Sequence, residues 1–90
     1  MTRYTRRTPQ GVQVSPQALP AALEQLARFE DAYEALLRQR AEPSAQMEPL
    51  KAAGKQKSAR FRELLGKKLV NQQILLQLEF CGISEGDEEG

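Results

Sequence analysis

Ninety residues, of which 40% are hydrophobic with three Phe, two Tyr and no Trp, support one domain at most, on a core of Leu and Ala completed by Phe29, Tyr33, Phe61 and Phe80. The net charge of +1 conceals four blocks: residues 1–20 carry three Arg and no acid, 21–50 three Arg against six acids, 51–68 seven Lys or Arg against Glu63, and 69–90 five acids and no base. The absence of His and the single Cys81 remove the commonest general base, the commonest metal ligand, any intrachain disulfide and a structural zinc site.

The opening, Tyr4 to Val14, holds Pro9 to preset a turn and Gly11 to leave it, with Val12 and Val14 alternating about Gln13. This pattern leaves two options, a short β-hairpin and a flexible basic arm, because two short strands are marginal alone in water. Arg3, Arg6 and Arg7 are followed by no apolar run, so a signal peptide is not expected.

Ser15-Pro16 reads as a helix cap followed by a first-turn proline, with Leu19-Pro20 as a competing start one turn later. From there Leu19, Ala22, Leu26, Phe29, Tyr33 and Leu36 fall on a heptad seam, widened by Leu23 and Leu37. Glu24 with Arg28 and Glu34 with Arg38 sit four apart, acid first, the helix-supporting order. The phase continues through Arg40, Pro43, Met47 and Leu50. Pro43 and Pro49 nevertheless favour a kink or break near Glu42-Pro43, since an interior proline costs about 3 kcal/mol. Gly54 is the expected stop.

Ser58 can cap a helix carrying Phe61, Leu64 and Leu65. The later set Leu69, Leu76, Phe80 and Ile83 is out of phase with it, which predicts a separate, best-buried final helix capped by Asn71. Gly82-Ile83 fits a left-handed C-terminal cap, and residues 84–90 form an acidic tail expected to be disordered. The stretch from Ile74 to Ile83 is broken by Gln77 and Glu79 and falls short of the roughly 20 residues of a membrane span, so no membrane partner is expected. Cys81 reads as a small buried hydrophobe, and the cysteine usage suits a cytoplasmic location.

Chemistry finds little support. Glu30-Asp31 are adjacent on a helix and diverge, and Glu85, Asp87, Glu88 and Glu89 lack the spacing of a calcium loop. Gly54-Lys55 fails as a phosphate loop, with Pro49 at the first glycine position and Gln56 where Ser or Thr would hold magnesium. The cluster Lys51, Lys55, Lys57, Arg60, Arg62, Lys67 and Lys68 could neutralise phosphates, or serve as a solvated face complementing the acidic blocks. Lys67-Lys68 occupy the turn of a would-be helix-turn-helix, where an apolar residue normally meets the core.

Arg3-Tyr4-Thr5-Arg6-Arg7, Gly11 and Leu26-Ala27-Arg28-Phe29-Glu30-Asp31 resemble short proteins of phages and prophages of Gram-positive bacteria, which have a Thr/Arg-rich arm and a Leu-Ala-Arg-Tyr-Glu-Asp-like stretch. The likeness covers the first third of the chain. Where those proteins continue with Thr-Gly-Leu and Pro-Glu-Glu, this one continues its helix through Ala32-Tyr33-Glu34-Ala35-Leu36. The resemblance implies a phage or bacterial origin and carries over no catalytic residue.

The sequence thus predicts a mainly α protein: a basic arm over residues 1–14, a helical domain over 15–83 as a hairpin or small bundle with a coiled-coil-like seam, and the tail. The expected function is a non-enzymatic, cytoplasmic interaction module that self-associates, as a homodimer, or binds another helical protein. Its candidate seam is Leu19, Leu23, Leu26, Phe29, Tyr33, Leu36, Leu37, Phe61, Leu65, Leu76 and Phe80. No cofactor, metal or small-molecule substrate is implied. The alternative is a small nucleic-acid-binding or regulatory protein using Lys55, Lys57, Arg60, Arg62, Lys67 and Lys68.

Overall fold

The structure, a computed structural model, describes residues 2–85. It is mainly helical: a hairpin of β1 (Arg6–Thr8) and β2 (Gly11–Gln13) precedes two helices, α1 (Leu19–Ala52) and α2 (Ala59–Phe80). Contacts divide the chain into two compact units, Met1–Glu34 and Ala35–Gly90.

In the first unit the hairpin option is realised. The strands are antiparallel, with Arg6 opposite Gln13, Arg7 opposite Val12 and Thr8 opposite Gly11. Pro9-Gln10 form the turn, and Gly11 takes a φ of +129°, a backbone state that side-chain-bearing residues avoid. Thr8 Oγ1 closes the loop, donating to Gly11 O at 3.0 Å and accepting from Gln10 N at 3.2 Å. Of the two helix starts, the second holds. Ser15 caps only a turn, accepting from Ala18 N through Oγ at 3.2 Å, and α1 begins at Leu19 with Pro20 in its first turn, where no N–H is required.

The expected break at Glu42-Pro43 does not occur: α1 runs through both Pro43 and Pro49. The reason lies in the second unit. There Met47, Phe61 and Leu64 are buried in one cluster with Leu50 against it. Each such side chain contributes about 1.5–3 kcal/mol on burial, enough together to offset an interior proline cost of about 3 kcal/mol each. Pro43 itself is buried, so its ring adds to the apolar contact that its missing N–H weakens.

α1 ends as expected. Gly54 adopts a φ of +72°, its N–H donates to Lys51 O at 3.0 Å, and the Lys55 N–H reaches back to Leu50 O at 2.7 Å, the paired bonds of a Schellman cap. Ser58 then caps α2, accepting from Phe61 N at 3.1 Å. Gly82, at φ +91°, closes α2 in the same way, with Gly82 N donating to Glu79 O at 2.9 Å and Ile83 N to Leu78 O at 2.8 Å.

The separate final helix does not exist. α2 is one helix, and Asn71 is not its cap but a buried residue near its middle. Its inner face is Phe61, Leu64, Lys68, Asn71, Leu75 and Leu78, a strict three-four spacing in which two polar residues stand on the seam. α2 returns antiparallel along residues 36–50 of α1: Phe61 and Leu64 meet Met47, while Asn71, farther from the connection on α2, donates through Nδ2 to Leu36 O at 3.0 Å. The end of α2 is therefore not the best-buried element. Leu76 and Phe80 point outward, and Cys81 is exposed rather than buried, because the inward positions fall to Leu75 and Leu78. The expected disordered tail lies, from residue 86 onward, outside the described residues.

Candidate interaction surfaces

The described residues bury only four large hydrophobic side chains, Met47, Phe61, Leu64 and Leu75, whereas eleven others are exposed. A soluble chain whose large apolar side chains lie mainly outside its core presents contact surface.

The first such surface lies on α1. The seam predicted from Leu19 onward is one stripe, but burial along it changes. Tyr33, Leu36 and Leu37 are half-buried, while Leu19, Leu23, Leu26 and Phe29 are 40–57% exposed. Phe29 stacks on Tyr33, with ring centroids 6.5 Å apart and planes 4° from parallel, which fixes both rings on the helix surface. The basic arm lies against this half of α1, held by Gln25 Nε2 donating to Thr2 O at 3.2 Å. Between arm and helix is an open groove of ≈ 610 Å³, its wall made by Ala22, Leu26 and Phe29 and its rim by Arg3, Tyr4 and Arg28. Arg28 is bridged to Glu24 at 3.1 Å, and Arg3 is steadied by donating through Nε to Thr5 O at 2.9 Å.

The second surface is the outer face of α2, where Leu69, Val70, Leu76 and Phe80 are 43–75% exposed and Leu65 and Ile74 close to 40%. Leu65, Leu76 and Phe80, candidates for the seam, therefore lie away from the packed interface, and Phe61 alone of the α2 candidates is buried. The residues that sequence reasoning left out of the seam are Pro43, Met47, Leu64, Asn71 and Leu75. A strict heptad counted from the Ser58 cap would have found those on α2 had polar residues been allowed on it. Asn71 matters most: it is 6% exposed, and its Oδ1 has no hydrogen-bond partner.

The basic cluster is present as a surface, partly spent on local pairs. Lys51 approaches Glu48 at 3.5 Å, and Arg60 pairs with Glu63 while donating to Gln46 Oε1 at 2.7 Å. Lys55, Lys57, Arg62 and Lys67 are exposed, and Lys68 is half-buried on the α2 seam, its stem covering apolar surface while its charge reaches water. Beyond the cluster, Arg40 and Glu85 form an ion pair at 2.7 Å that holds the Glu85 carboxyl below its usual range, by hydrogen bonding first and charge second. No helix is long and apolar enough to cross a membrane among the described residues.

No protein-family model matches the chain, and neither a curated protein nor a solved structure is significantly similar to it.

Proposed function

We propose that this protein is a non-enzymatic helical interaction module of the cytoplasm that works by self-association. The observation that carries this reading is the α1 seam: one heptad stripe is packed from Tyr33 to Leu50 and left open from Leu19 to Phe29. Burying a Leu or Phe side chain yields about 1.5–3 kcal/mol, so four such residues offer a driving force that a second helical surface can collect. A helical module of this kind fits the phage or bacterial origin that the arm resembles.

The test is the double substitution Leu23→Gln with Leu26→Gln, read by light scattering after size exclusion and by circular dichroism. Both side chains are more than half exposed, so helicity should be retained while the particle falls from dimer to monomer. An unchanged mass would remove α1 as the contact. A particle carrying 260 nm absorbance that is lost as salt rises would instead favour the basic cluster as a nucleic-acid site.

A further inference from the structure

The groove between the arm and α1 and the exposed end of α2 are complementary in both shape and charge. The groove has an apolar wall of Ala22, Leu26 and Phe29 under a basic rim, and residues 1–20 contain three Arg and no acid. The end of α2 has the opposite character. Phe80 is 75% exposed, the most exposed large hydrophobic among the described residues, Glu79 stands beside it, and residues 69–90 contain five acids and no base. A volume of ≈ 610 Å³ is ample for an aromatic side chain and its neighbours.

We infer that the groove of one copy receives the Phe80 end of α2 from a second copy, reciprocally, so that each dimer contains two identical contacts. This rests on the self-association proposed above and names its partner surfaces. The ring of the partner's Phe80 lies against Leu26 and Phe29, and the partner's Glu79 faces the Arg3 and Arg6 side of the arm. A foreign partner would need the same pairing of an aromatic knob with an acidic flank, and this chain already supplies it. Reciprocal exchange also removes both surfaces from water in one closed assembly, leaving neither free to propagate a chain.

The reciprocal geometry permits a charge-swap test with the full chain. One variant carries Arg3→Glu and Arg6→Glu; the other carries Glu79→Lys. Alone, each places like charges at both contacts and should be monomeric. Mixed, the acidic arm meets the new Lys while the native arm meets the native Glu79, so a heterodimer should form, identified by native mass spectrometry with one partner ¹⁵N-labelled. Phe80→Ser provides a second reading. It alters an exposed side chain, should keep the helical spectrum, and should weaken the dimer about a hundredfold, roughly tenfold at each contact. A dimer that survives all three variants, or a mixture that stays monomeric, overturns the inference while leaving self-association through another face standing. A wild-type chain that is monomeric overturns both.

Discussion

Replacing Asn71 by Leu should make the protein more stable. Asn71 is 6% exposed, donates through Nδ2 to Leu36 O at 3.0 Å, and leaves Oδ1 buried without a partner. The substitution loses one hydrogen bond, worth about 1 kcal/mol, and relieves an unsatisfied acceptor that costs about 1–3 kcal/mol. Leu36 O lies within α1, so the helix's own bonding still serves it. Filling the seam position with an apolar side chain adds about 1.5–3 kcal/mol, less about 1 kcal/mol of packing strain. Strain should be small, because Asn71 borders a groove of ≈ 400 Å³ lined also by Leu36, Pro43, Val70 and Ile74. The net gain is about 1–3 kcal/mol, which raises the melting temperature by roughly 5–15 °C in a domain of this size. Thermal melts followed by circular dichroism, at one fixed protein concentration, provide the assay. Asn71→Asp should do the reverse, since it replaces the donor with a buried carboxylate. A Leu variant that melts below wild type would refute the reasoning, because it would mean that the amide is fully satisfied and holds the hairpin together.

Pro49 is exposed within α1, so Pro49→Ala restores a donor without losing packing and should stabilise the chain by about 1–3 kcal/mol, measured as a higher urea midpoint. Ser58→Ala removes the cap that accepts from Phe61 N and should cost about 1 kcal/mol in the same assay. Gly54→Ala should cost a similar amount: a Cβ there meets nothing, but the φ of +72° strains any L side chain. Glu85 is held below its usual carboxylate value of 4.5 by Arg40, so any stability from this pair is complete above that value and lost as pH falls through the lowered one. Carboxyl NMR titration should show Glu85 titrating at lower pH in wild type than in Arg40→Gln, and identical curves would show that the pair is absent in solution.

Local signals in the sequence translated directly into structure. The Ser58 cap, the two glycine stops at Gly54 and Gly82, and the turn from Pro9 to Gly11 each depend on backbone chemistry contained within a few residues. Two features required knowledge of the partner helix. Pro43 and Pro49 read as breakers because the cost of a proline is local, whereas the burial of Met47 against Phe61 and Leu64 that offsets it is not. α2 read as two helices because Lys68 and Asn71 interrupt its apolar period, and nothing near them in sequence shows that Leu36 offers Asn71 a carbonyl. The candidate surface was half legible. The heptad from Leu19 to Leu36 marked the right stripe of α1, but periodicity does not distinguish the part covered by α2 from the part left open. Leu65, Leu76 and Phe80 were grouped with the core for their apolarity, although their phase sets them outward.

Self-association is tested most directly by sedimentation equilibrium of the untagged chain from about 1 to 100 μM, with absorbance at 260 and 280 nm recorded together. The account predicts a mass that rises with concentration from the 10.1 kDa of one chain toward twice that value, with no nucleic acid in the particle. A mass that stays at 10.1 kDa throughout would contradict it, leaving the open stripe from Leu19 to Phe29 without its proposed partner.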